Sequence, residues 1–165
     1  MRIGSGWDRH LLSAGRPCRL GGVVFPECEV GPVGHSDGDA LAHAVIDALL
    51  GAAALGDIGH HYPDTDPAWR NADSLDLLAR TAVLIADAGW RVANVDTTVI
   101  TERPRLAPRI EDMRNALAGA MGVETDHVSV KATRGEGMGP EGRGECVTAM
   151  AVALLEPAGD GGDGS

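Results

Sequence analysis

Apolar and polar positions alternate along the chain in a pattern that predicts a mixture of strands and helices, with no internal repeat. Segments with β-branched or alternating apolar residues between turn residues predict strands over residues 2–7, 19–25, 92–101, 128–133 and 146–155. Apolar residues with a helical period predict three helices, over residues 36–56, 73–88 and 108–121.

The signals at the helix ends are local. Ser36 is a plausible N-cap for the first helix, with Asp39 three residues later in the manner of a capping box, and the apolar run stops near Gly56. Gly89 ends the second helix, and Pro108 stands near the first position of the third.

Three segments without such periodicity are predicted to be loops: residues 30–34, the long stretch 57–72 with its two prolines, and the glycine-rich stretch 134–144. Loops as long as 57–72 in a compact domain usually carry function. We therefore expect this segment to lie at a binding site.

The order of these elements favours the α+β class, with a mixed β-sheet and helices packed on one face, because at least two successive strands have no helix between them. We expect residues 1–156 to form a single domain and residues 157–165, rich in glycine and aspartate, to be a disordered tail. Only 3% of the residues are aromatic, so the other face of the sheet is a candidate for burial by oligomerisation.

Charge restricts the class of partner. With 14 basic and 24 acidic residues the net charge is −10, which argues against nucleic acid or an anionic membrane surface as the main partner but allows a small anionic ligand in a local pocket. The N-terminus has no apolar signal region and no run is long enough to span a bilayer. Three cysteines without a C-x-x-C pair are typical of reduced thiols, so we expect a cytoplasmic protein.

The strongest candidate for chemistry is a metal site. Asp8 and His10 are two residues apart on an extended segment, so their side chains project to the same side, and His43 lies in the middle of the apolar first helix, where a histidine is otherwise awkward. Two imidazoles and one carboxylate suit a catalytic Zn²⁺ with one open position. The alternative is a core histidine beside an ordinary turn aspartate.

A phosphate site is predicted beside it. His35 and Ser36 precede the first helix, whose free N–H groups attract anions, although ordinary capping would explain the same residues. Asp47 shares a helical stripe with His43 and is a candidate acceptor for the second N–H of His43 or His10. Thr133, Arg134 and Arg143 are potential phosphate donors outside any P-loop motif.

Taken together, these motifs resemble a known family. G-x-G-x-D-x-H at the start, HSDGDALAHAVIDALLGAAALGDIG, PDTDP, NVDTTVI, VKAT and GRGE are similar, at closely similar spacing, to the 2-C-methyl-D-erythritol 2,4-cyclodiphosphate synthase family. The resemblance implies a homotrimer with active sites between subunits. It also implies a metal-dependent cyclisation of 4-diphosphocytidyl-2-C-methyl-D-erythritol 2-phosphate, with release of CMP, in the non-mevalonate isoprenoid pathway.

The resemblance also implies roles for individual residues. Asp8, His10 and His43 would hold Zn²⁺ or another divalent metal, and Glu136 would hold a second ion, Mg²⁺ or Mn²⁺, on the substrate diphosphate. His35 and Ser36 match positions at the phosphates, and Arg134 the position of a threonine that stabilises the transition state. The other matching substrate-binding positions are Asp57, Gly59, Tyr62, Pro63, Asp64, Thr65, Asp66, Thr101, Arg105, Ala107, Thr133, Pro140 and Arg143.

The sequence departs from the family pattern at the phosphate end. The usual T-T-T-E run reads Thr133-Arg134-Gly135-Glu136, Ser5 and Trp7 replace a His and a Phe, and Pro140 replaces an aromatic residue. An arginine can donate to phosphate, so the role is compatible with Arg134. Two alternatives stay open: a paralogue that acts on a different CDP-linked substrate, and an inactive trimer that binds prenyl diphosphates.

Overall fold

The computed structural model describes residues 1–159, which form one large sheet, one small hairpin and a layer of helices. The strands are β1 (Arg2–Ala14), β2 (Arg19–Leu20), β3 (Val23–Val24), β4 (Val30–Pro32), β5 (Trp90–Ile100), β6 (Val128–Thr133) and β7 (Cys146–Pro157). The large sheet has the order β4-β1-β7-β5-β6, in which β5 and β6 are parallel and the other pairs antiparallel, while β2 pairs with β3.

The helices are α1 (Ala40–Ala53), α2 (Ile58–His61), α3 (Ser74–Asp87), α4 (Ile110–Met121) and α5 (Gly139–Gly142). The three long helices α1, α3 and α4 pack on one face of this sheet, whereas Glu141 of α5 accepts hydrogen bonds from Arg9 and Thr148 on the other face. Helix α1 packs against β1, β7 and β5, α3 packs against α1 and β5, and α4 lies beside α3 and β6. The predicted α+β class with a mixed sheet is therefore confirmed. In the part of the chain that the structure describes, no helix is long and apolar enough to cross a membrane.

The contact between α1 and β1 depends on two glycines. A Cβ atom at Gly4 would lie 2.1 Å from the backbone oxygen of Ala48, and one at Gly6 would lie 1.9 Å from that of Ala44. Both distances are far below van der Waals contact, so only glycine lets the helix backbone rest directly on the strand. Because α1 is covered by the sheet on one side and by α3 on the other, nearly all of its residues are buried.

Helix α1 begins at Ala40 with Asp39 as its N-cap, so the prediction of Ser36 as the cap was wrong. The buried Asp39 carboxylate accepts the N–H groups of Leu41 and Ala42, and also those of Gly21 and Gly22 in the turn between β2 and β3. Burial raises the pKa of Asp39, and these backbone hydrogen bonds counteract part of that effect. The Asp39 side chain thus caps the start of α1 and also holds the β2–β3 hairpin, and local sequence does not reveal this second contact.

Several predicted boundaries near the N-terminus require correction. Strand β1 continues to Ala14 rather than ending at residue 7, because residues 2–11 pair with β7 and residues 12–14 with β4. The segment predicted as one strand over 19–25 is a hairpin, since Gly21 and Gly22 both have positive φ and reverse the chain. Residues 30–32, predicted as loop, form β4.

The other predicted loops contain short helices. Segment 57–72 includes α2 and a 3₁₀ turn at Pro67–Trp69, and segment 134–144 includes α5. Two further 3₁₀ turns, Ala107–Arg109 and Thr125–His127, precede α4 and β6. At the C-terminus β7 extends to Pro157, and the N–H of Ala158 donates to Gly89 at 2.9 Å. The start of the predicted tail thus belongs to the sheet, and residues 160–165 lie outside the described residues.

The sheet face opposite the long helices exposes several large apolar side chains in the single chain. Ile3, Trp7 and Leu11 point outward from β1 and are 72%, 54% and 68% exposed. Met150 and Val152 on β7 are exposed on the same side, with Trp7 opposite Met150 and Ser5 opposite Val152 in the register. A contiguous apolar patch of this kind is typical of a protein–protein interface.

Replacement of Gly6 by alanine tests the contact between α1 and β1. We expect Gly6→Ala to lower the free energy of unfolding by more than about 3 kcal/mol, because the added methyl group meets backbone that cannot move without displacing the helix. Gly51→Ala is the matched control, since a Cβ at this position of α1 meets nothing within 4 Å. It should stabilise the protein by about 0.5–1 kcal/mol in the same denaturation experiment. Equal effects of the two changes would contradict this view of the contact.

Candidate metal and phosphate site

Asp8, His10 and His43 converge on one point at the end of the α1–β1 contact. Asp8 and His10 face the helix layer from β1, and His43 faces the strand from α1. The Nε2 atom of His10 lies 2.8 Å from Oδ2 of Asp8, Nδ1 of His43 lies 3.1 Å from the same oxygen, and the two nitrogens are 3.1 Å apart. The structure thus brings together the three residues predicted to form the metal site.

The remaining ring nitrogens face away from this point. Nδ1 of His10 donates to the carbonyl oxygen of Val33 at 2.6 Å, which leaves the lone pair of Nε2 directed at the cluster. Nε2 of His43 lies 2.9 Å from Oγ of Ser74 and 3.0 Å from Oγ of Ser36. Each imidazole therefore has one nitrogen in the cluster and the other held by the surrounding protein, as in known histidine–metal sites.

Asp47 does not accept a proton from either histidine, so that prediction was wrong. Its Oδ1 accepts the backbone N–H of Ile58 at 2.8 Å and so holds the first residue of α2 against α1. Asp47 lies one turn after His43 on α1, and α2 is close enough to compete for its carboxylate. Its role is to place the segment that lines the neighbouring cavity.

The electrostatics of the cluster favour a cation. Burial alone would raise the pKa of Asp8, but hydrogen bonds and charge interactions with His10 and His43 outweigh it and lower the pKa below its usual range. Burial alone would lower the pKa of His10, but Asp8 outweighs it and raises the pKa. Asp8 is therefore a carboxylate that requires positive charge beside it, from protons or from a metal ion.

The donor set fits a divalent metal. One ligand atom from each of Asp8, His10 and His43 lies within 4.8 Å of the others. Nitrogen and oxygen ligands of Zn²⁺ at about 2.0–2.2 Å are only slightly farther apart than these three, so small shifts would admit the ion. Three protein ligands leave a fourth position for substrate or water, which is the arrangement of catalytic rather than structural zinc.

A cavity of about 470 Å³ opens beside the cluster. Among the predicted substrate residues, those that line it together with the three metal-site residues are His35, Ser36, Gly59, Tyr62, Pro63 and Asp64. Ile58, Trp69 and Leu77 supply an apolar wall. The predictions that residues 57–66 and the segment before the first helix meet at one site are thus consistent with the fold.

A second group of predicted residues lies elsewhere. Arg105 and Arg134 line a separate cavity of about 760 Å³ with Glu102. Arg134 donates from Nε (2.9 Å) and from Nη2 to Oε1 of Glu102, and both residues follow the C-terminal ends of the parallel pair β5 and β6. Within one chain, neither arginine lines the cavity beside the metal cluster.

The remaining predicted residues support or flank these two regions. Asp57 and Asp66 cap short helices, and the carbonyl oxygen of Asp66 is 3.2 Å from Nε2 of His35. Thr101 is buried, with its hydroxyl on the carbonyl oxygen of Arg103. Thr65, Ala107, Thr133, Glu136, Pro140 and Arg143 lie in or beside exposed turns, where Arg143 pairs with Glu145.

Sequence reasoning missed Ser74, Trp69, Leu77 and Ile58. Ser74 is distant in sequence from His43 and has no motif of its own, and the three apolar residues are indistinguishable from core positions. The only available signal was the position of Ser74 immediately after Asp73, the N-cap of α3. Such a position does not specify which side chain the serine will contact.

The fold and the cluster together define an enzyme class that uses a divalent metal on a small anionic ligand. Residues 1–156 match the YgbB family, and the chain belongs to it. The 2-C-methyl-D-erythritol 2,4-cyclodiphosphate synthase of Thermosynechococcus vestitus is 53% identical over 156 residues, which cover 94% of this chain and 96% of that protein.

Solved structures agree with this assignment. A structure described as 2C-methyl-D-erythritol-2,4-cyclodiphosphate synthase in a CDP-bound form has a TM-score of 0.85 and 38% identity, and the match covers 94% of this chain and all of that one. The bifunctional IspDF of Campylobacter jejuni has a TM-score of 0.90 and 36% identity over 94% of this chain. This chain spans 42% of that longer protein.

Removal of the helix-borne ligand tests the metal site. We expect His43→Ala to reduce Zn²⁺ affinity by more than about 100-fold, because one of three ligands is lost. Loss of a residue that only hydrogen-bonds to a metal ligand already costs about 10–100-fold. His60→Ala is the control, since this exposed histidine is outside the cluster. Affinity is measured by competition with a chromophoric chelator, and the unfolding midpoint of each metal-free protein is measured in parallel. Unchanged Zn²⁺ affinity in His43→Ala would exclude the site.

Proposed function

We propose that this chain catalyses the cyclisation of 4-diphosphocytidyl-2-C-methyl-D-erythritol 2-phosphate to 2-C-methyl-D-erythritol 2,4-cyclodiphosphate, with release of CMP. The observation that carries the proposal is the Asp8, His10 and His43 cluster opening on a cavity of about 470 Å³ in a member of the YgbB family. The CDP-bound structural relative supports a cytidine diphosphate as part of the ligand. The reaction belongs to the non-mevalonate isoprenoid pathway, and we place the protein in the cytoplasm.

The reaction is a phosphoryl transfer within one substrate. An oxygen of the 2-phosphate attacks the β-phosphorus of the diphosphate, the bond from that phosphorus to the α-phosphate oxygen breaks, and CMP leaves with the electron pair. The protein has little covalent chemistry to perform, so catalysis is positioning and charge stabilisation. Asp8, His10 and His43 would hold Zn²⁺ or another divalent metal, which would supply Lewis-acid polarisation of a phosphate oxygen.

Side chains around the cavity orient the substrate. His35 and Ser36 line the cavity at the segment before α1, where phosphate oxygens of the substrate would lie. Ser36 is almost fully buried, so few water molecules compete with the substrate for its hydroxyl. Gly59, Tyr62, Pro63 and Asp64 line the same cavity, and Asp57 stabilises this segment as the cap of α2. These residues would hold the erythritol and diphosphate groups in line for attack.

The nucleotide end of the site would come from a neighbouring subunit. Thr101, Arg105 and Ala107 belong to the segment that the family resemblance places at the cytosine, and residues 102–105 of this segment line the separate cavity of about 760 Å³. A homotrimer with active sites between subunits would join the two halves, and the exposed apolar face of β1 and β7 supplies a surface for such an assembly. Glu136, near this second region, would hold Mg²⁺ or Mn²⁺ on the diphosphate.

A paralogous activity is the second candidate. Arg134 and Gly135 stand where the resemblance expects threonines, and the Arg134 side chain is paired with Glu102 beside the proposed cytosine segment. This substitution would alter the diphosphate pocket and so permit a different CDP-linked substrate. The intact metal cluster argues against an inactive trimer that merely binds prenyl diphosphates.

The function is tested by incubating the zinc-loaded protein with the authentic substrate and Mg²⁺, followed by chromatography. We expect CMP and the cyclodiphosphate to appear in equal amounts. Protein carrying His43→Ala is the control and should release no CMP above background. Absence of CMP from the wild-type protein, together with release from another CDP-linked alcohol phosphate, would favour the paralogue.

The oligomeric state is a separate prediction. Light scattering at micromolar concentration should give about three times the chain mass of 17.1 kDa. Trp7→Glu, which places a charge in the centre of the exposed apolar face, should shift the mass toward the monomer, whereas Val83→Glu on the exposed side of α3 should not. A monomeric wild-type protein would contradict the assembly without affecting the assignment of the family.

Arg134 gives a third test. We propose that it contacts the substrate diphosphate, because a guanidinium donates to two phosphate oxygens where a threonine donates to one. Arg134→Ala should then slow CMP release by about 10²–10³-fold, the usual cost of losing a donor to a developing anion. If Arg134→Ala is unaffected and Arg134→Thr is as fast as wild type or faster, the role is refuted. Gain of activity only in Arg134→Thr would identify the paralogue.

A further inference from the structure

Two serine hydroxyls lie near the outer nitrogen of His43, and only one of them donates its proton to another side chain. Ser74 Oγ is 2.9 Å and Ser36 Oγ is 3.0 Å from Nε2 of His43. Ser74 also donates to Oδ1 of Asp37 at 2.5 Å. Ser36 accepts the N–H of Gly38 at 3.3 Å, which uses a lone pair and leaves its proton available.

The carboxylate of Asp37 is firmly held as an acceptor. Its Oδ2 accepts the N–H of Ser74 at 3.1 Å, its Oδ1 accepts the N–H of Asp39 at 3.1 Å, and the Nε atom of Arg19 lies 3.6 Å from Oδ2. Each of these groups is a donor to the Asp37 carboxylate, so the hydroxyl proton of Ser74 points to Asp37.

Proton counting then fixes the orientation of the whole chain of contacts. A serine hydroxyl has one proton, and that of Ser74 is used on Asp37, so Ser74 can only accept from Nε2 of His43. Nε2 must therefore carry a proton, so Nδ1 is the nitrogen left to bind a metal ion. Nδ1 is the nitrogen that lies 3.1 Å from both Asp8 and His10 in the metal cluster.

We propose that Asp37 and Ser74 are positioning residues that hold the Nε2–H form of His43 and so present Nδ1 as a metal ligand, while the Ser36 hydroxyl is left to donate to a phosphate oxygen of the substrate. The proposal rests on the metal site and the function proposed above. It divides two chemically identical side chains into one that serves the metal and one that serves the ligand.

Burial supports this division. Ser74 is completely buried and does not line the cavity, so it has no access to a ligand there. Ser36 is one of the residues that line the cavity. Because Ser74 is the first residue of α3 and Asp37 precedes α1, the contact also fixes the distance between the two helices at the level of His43.

The first experiment measures Zn²⁺ affinity of the full-length protein without substrate, by competition with a chromophoric chelator. We expect Ser74→Ala to weaken Zn²⁺ binding by about 10–100-fold, the usual effect of losing an outer partner of a metal-bound histidine. Ser36→Ala is the matched control and should leave Zn²⁺ affinity close to that of wild type, because the Ser74 hydroxyl still accepts the Nε2 proton. Asp37→Asn, which keeps the shape but removes the charge, should weaken binding in the same direction as Ser74→Ala.

The second experiment compares steady-state kinetics of CMP release over a series of Zn²⁺ concentrations up to saturation. Ser36→Ala should raise KM for the substrate, whereas Ser74→Ala should regain most of its activity as Zn²⁺ is increased. A purely structural role for Ser74 would instead lower activity at every Zn²⁺ concentration, and that outcome would overturn the proposal.

Two other results would also refute it: equal Zn²⁺ affinities in Ser74→Ala and wild type, or equal losses in Ser74→Ala and Ser36→Ala. If Ser74→Ala fails to fold, as judged by unfolding of the metal-free protein, Asp37→Asn decides by the same criteria. The Zn²⁺ titration requires no substrate, so a negative result there would leave the cyclase assignment intact. Loss of CMP release in the wild-type protein would refute the proposed function and leave the metal-site result standing.

Discussion

The direct contact of α1 with β1 is the constraint on which the rest of the structure depends. Gly4 and Gly6 remove every side-chain atom between the strand and the backbone of Ala44 and Ala48. Because His43 precedes Ala44 on the helix and Asp8 follows Gly6 on the strand, the same approach brings an imidazole next to a carboxylate. A bulkier strand would hold the helix farther away and separate the metal ligands, so the packing of the core and the chemistry of the site have one origin.

Around this contact, buried acidic side chains organise the polypeptide leading into α1. Asp39 receives N–H groups from its own helix and from the β2–β3 turn, and Asp37 receives them from Asp39 and Ser74. The Asp39 carboxylate is surrounded by backbone donors, which makes burial of its charge tolerable, and the half-buried Asp37 carboxylate also accepts the Ser74 hydroxyl. The result is a rigid frame around His35 and Ser36, although the chain as a whole carries a net charge of −10. The proposed anion binding would depend on these local donors rather than on the overall charge.

The geometry also explains why one chain has only part of the predicted binding surface around its metal cluster. The ends of β5 and β6, where Arg134 meets Glu102, surround a cavity separate from that of the metal cluster. The opposite sheet face exposes Ile3, Trp7 and Leu11, which is costly for a protein that remains a single chain in water. The proposed homotrimer would answer both features, because a neighbouring copy would cover the apolar residues and bring the second cavity to the metal cluster.

The sequence by itself determined the α+β class, the strand over residues 128–133, the amphipathic helix after Asp73 and the three residues of the candidate metal cluster, because these follow from periodicity, from i,i+2 projection along a strand and from residue chemistry. It misplaced the start of α1, divided β1 too early and missed β4, since pairing with distant strands and capping by a buried aspartate outweigh local signals. Only the tertiary structure decided that Asp47 holds α2 while Ser74 reaches His43. A side chain forms a hydrogen bond with a group that folding brings within about 3 Å of it, and the separation of two residues along the chain does not predict that distance.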